Sequence, residues 1–142
     1  MSRRMSDGER REFLAAGART GKLATVRADG RPHVAAIWFV TDGDDLVFNT
    51  GAGTVKGRNL RRDPRASLLV DDEAPPFSYV RVDGTVEISE DLDQMLVWAT
   101  RIAGRYMGAD QADAYGRRNA VPGELLVRLR PTRIVTEVGV AD

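Results

Sequence analysis

The chain has 142 residues, 21 basic and 21 acidic side chains, no cysteine and one histidine, His33. That length is one domain, residues 1–142, and it buries enough surface to need no covalent or metal staple. Without Cys there is no disulfide, thiolate zinc site or thiolate nucleophile, and a lone imidazole builds neither a His-rich metal centre nor, without His33 itself, a Ser-His-Asp triad, so no metal is expected.

Ser6-Asp7-Gly8-Glu9 fits a capping box and opens a helix over about Asp7 to Gly17. Inside it, Arg10-Arg11-Glu12-Phe13-Leu14 looks like a twin-arginine export signal. Arg19 and Lys22 interrupt the apolar stretch such a signal requires, so an ordinary amphipathic helix is expected. Lys22 to Ala28 reads as a strand, Asp29-Gly30 as a hairpin turn, Pro32 to Thr41 as a second strand, Asp42-Gly43 as a turn and Leu46 to Thr50 as a third strand. Together these make a three-stranded meander.

A helix from about Thr54 to Asp63 follows, stopped by Pro64. Ala66 to Val70 is a fourth strand, Asp71 to Pro76 a loop, and Phe77 to Ile88 a long fifth strand bulged at Gly84. Leu92, Met95, Leu96, Ala99, Ile102, Ala103 and Tyr106 recur at helical spacing and define a helix from about Asp91 to Met107. Ala109 to Asn119 is a further helix. Glu124 to Arg130 and Thr132 to Val140 are two closing strands joined at Pro131. The expected class is mainly β: a six- or seven-stranded antiparallel sheet closing into a small barrel with flanking helices. No uncharged run exceeds ten residues, so no helix spans a membrane and a cytoplasmic protein is expected.

Two features bear on function. Both alternating sets of Pro32 to Thr41 are apolar, with Val34, Ala36, Trp38 and Val40 on one face and Ala35, Ile37 and Phe39 on the other. Two dry faces require a second cover from a helix, a partner subunit or a planar ligand. The stretch Thr54 to Pro64 collects Lys56, Arg58, Arg61 and Arg62 in a chain that is otherwise neutral. Its leading N–H groups carry partial positive charge, Gly51-Ala52-Gly53 allow close backbone approach, and Lys56 adds a full charge. That makes a phosphate cradle around Lys56, although the Walker spacing is absent. Arg58, Arg61, Arg62 and Arg65 form a separate row, expected to be solvated or to pair with acids of a neighbouring subunit. A nucleic-acid role for that row ranks last, because the net charge is zero. Phe77 and Tyr79 stand on the wetter side of their strand, suiting a wall for a flat ligand or an interface.

"GKLATVRADGRPHVAAIWF" (Gly21 to Phe39), "TVKGRNLRRDPRASLLV" (Thr54 to Val70) and "FSYVRVDGTVEI" (Phe77 to Ile88) resemble the flavin/deazaflavin oxidoreductase family. That family has a split β-barrel of the FMN-binding type and is related to pyridoxamine 5′-phosphate oxidase. The resemblance covers nearly the whole chain and is nearest to the branch that uses coenzyme F420, common in actinobacteria.

The resemblance implies a homodimer with two cofactor sites at the subunit interface. The ring would lie along His33 to Ile37, including Ala36, and the cofactor phosphate near Asn49, Thr50, Lys56 and Asn59. Phe77 and Tyr79 would reach the ring from the other subunit. Relatives often place an Arg just before the helix, where this chain has Thr54. The implied activity is hydride transfer from reduced F420 to an unsaturated small-molecule acceptor such as a quinone, an enone or a tetrapyrrole like biliverdin. Solvent or Tyr79 would supply the proton. The alternatives are FMN on the same fold, or a carrier that binds F420 or a tetrapyrrole without turnover. No catalytic residue is assigned.

Overall fold

The computed structural model describes residues 2–142. Its elements follow in the order α1 (Asp7–Ala15), β1 (Gly21–Val26), β2 (Pro32–Ile37), β3 (Val40–Asp42), β4 (Asp45–Gly51), α2 (Val55–Arg62), β5 (Arg65–Asp71), β6 (Tyr79–Ser89), α3 (Leu92–Met107), α4 (Ala109–Asn119) and β7 (Glu124–Glu137). All strand pairs are antiparallel, in one seven-stranded sheet of order β2-β1-β5-β6-β7-β4-β3. Its two edge strands, β2 and β3, are neighbours in sequence but are not hydrogen-bonded to each other.

The expected meander therefore does not form. The stretch read as one strand from Pro32 to Thr41 is cut at Trp38-Phe39, and its halves lie at opposite edges of the sheet. The sheet still wraps one core, in which Leu23, Ile37, Phe39, Phe48, Leu68 and Val82 are buried together. Each such side chain contributes roughly 1.5–3 kcal/mol through loss of apolar surface to water. The result is a barrel split along one seam.

A second, smaller core lies outside the barrel. Val47 of β4, Leu126 of β7 and Met95 of α3 are buried together, with Val40, Trp98 and Ala120 against them. It is β4, flanked by the two cores, whose two faces are both covered. Val34 of β2 stays 67% exposed and Trp38, just beyond its end, 39%. Helix α4 lies back on α3, with Gly116 so close to Thr100 that a Cβ would strike the Thr100 hydroxyl.

The local signals hold in most places. The Ser6/Glu9 capping box is present in both directions. The hydrogen bond from Arg3 holds the Glu9 carboxyl down at about 2. Helix α1 stops at Ala15, two residues short of the expected Gly17. Phe77 is not in a strand: it lies in the loop before β6 with a positive φ of 63°. Pro131 does not separate two strands, because β7 runs through it as one element.

The reason for that continuity is the bulge. Asp83 faces Arg133 and Gly84 faces Pro131, so Thr132 is an extra residue on β7. A proline without an N–H is tolerated where the ladder is already interrupted. Gly84 is needed there, since a Cβ would run into the carbonyl oxygen of Arg130. Gly84→Ala is expected to lower stability by roughly 1–3 kcal/mol through overpacking, read from the urea midpoint.

Candidate functional site

The break at Trp38-Phe39 is held from outside the sheet. Phe39 N–H donates to Tyr106 Oη at 3.2 Å, and Arg105 donates to the Phe39 carbonyl at 2.8 Å. Both side chains come from the last turns of α3. Arg105 also donates to the carbonyls of Leu14 (2.7 Å) and Gly17 (3.0 Å), and Tyr106 donates to the Arg19 carbonyl (2.8 Å). The Trp38 indole stacks on the Tyr106 ring with centroids 5.1 Å apart and planes 2° from parallel. Burial pushes the Tyr106 hydroxyl above its usual range.

Beside this clamp lies a cavity of ≈ 310 Å³ between the end of β2, β4, the start of α2, and α3, α4 and β7. Ala36, Ile37, Trp38, Ile102 and Ala103 give it an apolar side, while Asn49, Asn119, Lys56 and Glu124 give it polar groups of both charges. The α2 terminus opens here. Thr54 caps it by accepting from Gly57 N–H at 3.1 Å, donates its hydroxyl to the Gly51 carbonyl at 2.7 Å, and gives its N–H to the same carbonyl at 3.2 Å. The Val55 and Lys56 N–H groups sit at the open end, where the partial positive charge of a helix collects. Of the two lysines, Lys22 pairs with Asp71 at 2.8 Å, whereas Lys56 makes no salt bridge among the described residues.

Glu124 is the unexpected member. It is the first residue of β7 and stands opposite Gly51 in the β4–β7 register. Its Oε2 is enclosed and has no hydrogen-bond partner among the described residues. Burial pushes its carboxyl above the usual carboxylate range, with the charge of Lys56 opposing the shift.

Of the residues singled out in the sequence, Ala36, Ile37, Asn49 and Lys56 come together in this cavity. Three others do not line it. Thr50 is buried and its hydroxyl bonds the Thr54 hydroxyl at 3.2 Å. Asn59 is buried, donates to Thr25 Oγ1 at 3.0 Å and accepts from Arg62 at 2.9 Å, so its amide ties α2 to β1 and faces no cavity. His33 lies opposite Thr25 with its Nδ1 enclosed and unpaired among the described residues.

Phe77 and Tyr79 lie elsewhere in the same chain. They line a separate groove of ≈ 610 Å³ with Leu69, Arg81 and Val140 on the outer face of the sheet. Tyr79 Oη donates to Glu137 at 3.1 Å, and that bond raises the hydroxyl's pKa. The arginine row is largely paired within its own chain: Arg61 with Glu90 at 2.5 Å, Arg65 with Asp63 at 2.7 Å, and Arg62 on the Val26 carbonyl at 2.6 Å. Glu124, Asn119, Ile102 and Trp38 were not foreseen as site residues. Only Trp38 carried a signal, as part of one of the two apolar faces of Pro32 to Thr41 that require a cover.

A family model described as pyridoxamine 5′-phosphate oxidase matches residues 6–136. The chain belongs to that family. Among its members, the pyridoxine/pyridoxamine 5′-phosphate oxidase of Cupriavidus metallidurans is 37% identical over 88 residues, covering 61% of this chain and 41% of that relative. The chain thus spans less than half the length of that curated relative. A conserved hypothetical protein of Mycobacterium tuberculosis superposes with a TM-score of 0.82 at 30% identity, over 93% of this chain and 84% of that one. A protein named F420 reductase does so with a TM-score of 0.68 at 32% identity, over 87% and 94%. The resemblance drawn from the three sequence blocks, and the split-barrel fold it implied, are both borne out.

The raised Glu124 carboxyl has a stability consequence. The native chain binds that proton more tightly than the unfolded chain, so ionising it costs stability as pH rises from the unfolded value through the folded one. Glu124→Gln removes the cost. Its melting temperature is expected to gain on wild type as pH rises from the unfolded carboxyl's range through the folded one, and then to level off, measured by thermal scans at matched ionic strength.

Proposed function

We propose that this chain is an oxidoreductase that uses coenzyme F420, passing a hydride from the reduced deazaflavin to an unsaturated small-molecule acceptor. The observation that carries the reading is the cavity in which the Lys56 ammonium, without a salt bridge among the described residues, and the open end of α2 adjoin an apolar side of Ala36, Ile37 and Trp38, with Val34 exposed on the same strand. An anionic tail and a flat ring are the two halves of a phosphorylated flavin or deazaflavin, and the residues present suit both. The resemblance to a protein named F420 reductase, at 32% identity over most of both chains, supports F420 as the ring compound. Bound there, the reduced deazaflavin supplies the hydride; the chain's own residues hold the tail, flank the ring and keep water from it.

The tail would be held by Lys56 and by the Val55 and Lys56 N–H groups, with Asn49 and Asn119 in reach of the polyol. Asn59 and Thr50 act from behind, by fixing where α2 begins. FMN in the same cavity is the second reading, favoured by the family's oxidase members.

A second copy of the chain completes the site in this reading. The outer sheet face exposes Val34, Phe77 at 43% and Val140 at 47%, with Leu69 between the strands that carry Lys22 and Arg81. Covering such a patch by a partner suits its apolar character, and would bring Phe77 and Tyr79 to the partner's ring.

Two measurements test this. Lys56→Ala is expected to weaken F420 binding by about 10- to 100-fold, the worth of one charge-assisted hydrogen bond, followed by fluorescence titration. Unchanged affinity would remove the tail assignment. Leu69→Asp is expected to turn a dimer into a monomer in sedimentation velocity and to lose cofactor binding with it. A wild-type monomer that still bound F420 would rule out the shared site.

A further inference from the structure

We propose that Glu124 makes the cavity select a singly charged phosphodiester over a doubly charged phosphomonoester. The inference rests on the reading that this cavity takes the phosphorylated tail of a flavin or deazaflavin, and it names what kind of tail. F420 carries its phosphate as a diester with one negative charge. FMN carries a monoester, with a charge of roughly −1.5 to −2 near neutral pH.

The geometry sets the preference. One cation, Lys56, and one anion, Glu124, line the cavity; its remaining polar residues, Asn49 and Asn119, are neutral and the rest of the wall is apolar. Glu124 Oε2 is enclosed beside Gly51, whose added Cβ would lie 3.9 Å from it, and no donor among the described residues reaches it. Lys56 is close enough to act on the Glu124 carboxyl through its charge without capping that oxygen. An incoming diester is neutralised by Lys56, and the carboxylate then either accepts a hydroxyl of the ligand's polyol or takes up one proton. An incoming monoester brings a second negative charge that no cation of this chain lining the cavity answers, next to the Glu124 carboxyl. The arginines of α2 do not line the cavity: Arg61 and Arg62 are engaged with Glu90, Val26 and Asn59, and Arg58 is exposed outside it. A site built for a dianion would carry a second cation where Glu124 stands.

The test uses three ligands with one ring: riboflavin, FMN, and the 5′-methyl phosphodiester of FMN. Each is titrated into wild-type protein and into Glu124→Gln at about pH 8, where FMN is a dianion. Wild type is expected to bind the diester about tenfold tighter than FMN, and Glu124→Gln to bring the two within about threefold. The ratio is insensitive to a general loosening of the site, which would weaken both ligands alike. Glu124→Ala serves in the same comparison should the glutamine variant fold poorly. Wild type binding FMN as tightly as the diester, or a ratio unchanged in a folded variant, overturns the inference while leaving the cofactor reading in place. Failure of all three ligands, and of F420, to bind wild type overturns the cofactor reading and the inference with it.

Discussion

Everything in this fold turns on the two backbone groups of Phe39. A strand of ten residues with no glycine and no internal proline would ordinarily run on and pair along its length. Here its N–H goes to Tyr106 and its C=O to Arg105, so neither is available to a neighbouring strand. The chain leaves one edge of the sheet and enters the other at that point. Two hydrogen bonds from one helix end thereby satisfy the polar groups that a break in a sheet would leave bare. The Arg105 guanidinium is itself partly desolvated, which lowers its pKa, but it spends its donors on carbonyls of three segments and lies over the Phe39 ring at 4.7 Å. The same clamp stacks Trp38 on Tyr106, and so sets the wall of the cavity beside it.

Much of this could be read in the residues, and the failures share a cause. The start of α1 was legible because the Ser6/Glu9 cap is local; Thr54 and Asp91, at the starts of α2 and α3, likewise bond within three residues of themselves. The bulge at Gly84 was legible because glycine inside a strand pattern has few other uses. The break at Trp38-Phe39 was not, because its partners lie 66 and 67 residues away on α3. Pro131 misled for the same reason. Its tolerance depends on the register of β6 across from it, which no local rule contains.

The site shows the same division. Lys56 was found through a helix start, and Asn49 only through the resemblance to the family. Asn59 has the right spacing to join Lys56, yet the helix turns its amide inward to Thr25. Spacing on a helix fixes which residues share a side, and the packing decides what that side faces. Glu124 had no signal at all. An acid opening a strand after a loop is commonplace, and only the fold carries it to the mouth of α2.

The polar interior of the chain separates into two kinds of group. Thr25, Thr50 and Asn59 are buried and bonded, and they hold α2 against the sheet. His33 Nδ1 and Glu124 Oε2 are enclosed and unbonded among the described residues. A buried polar atom without a partner costs on the order of 1–3 kcal/mol, and packed domains carry few of them. Both of these lie next to the seam where the barrel is split, one on β2 and one opposite the end of β4. Places where local rules and the global fold disagree are where a fold spends stability on something other than itself. The carboxylate is the more telling of the two. An apolar side chain would fill that position without burying an ionisable group, whereas this carboxyl shares its cavity with Lys56, which makes no salt bridge among the described residues and whose charge opposes the upward shift.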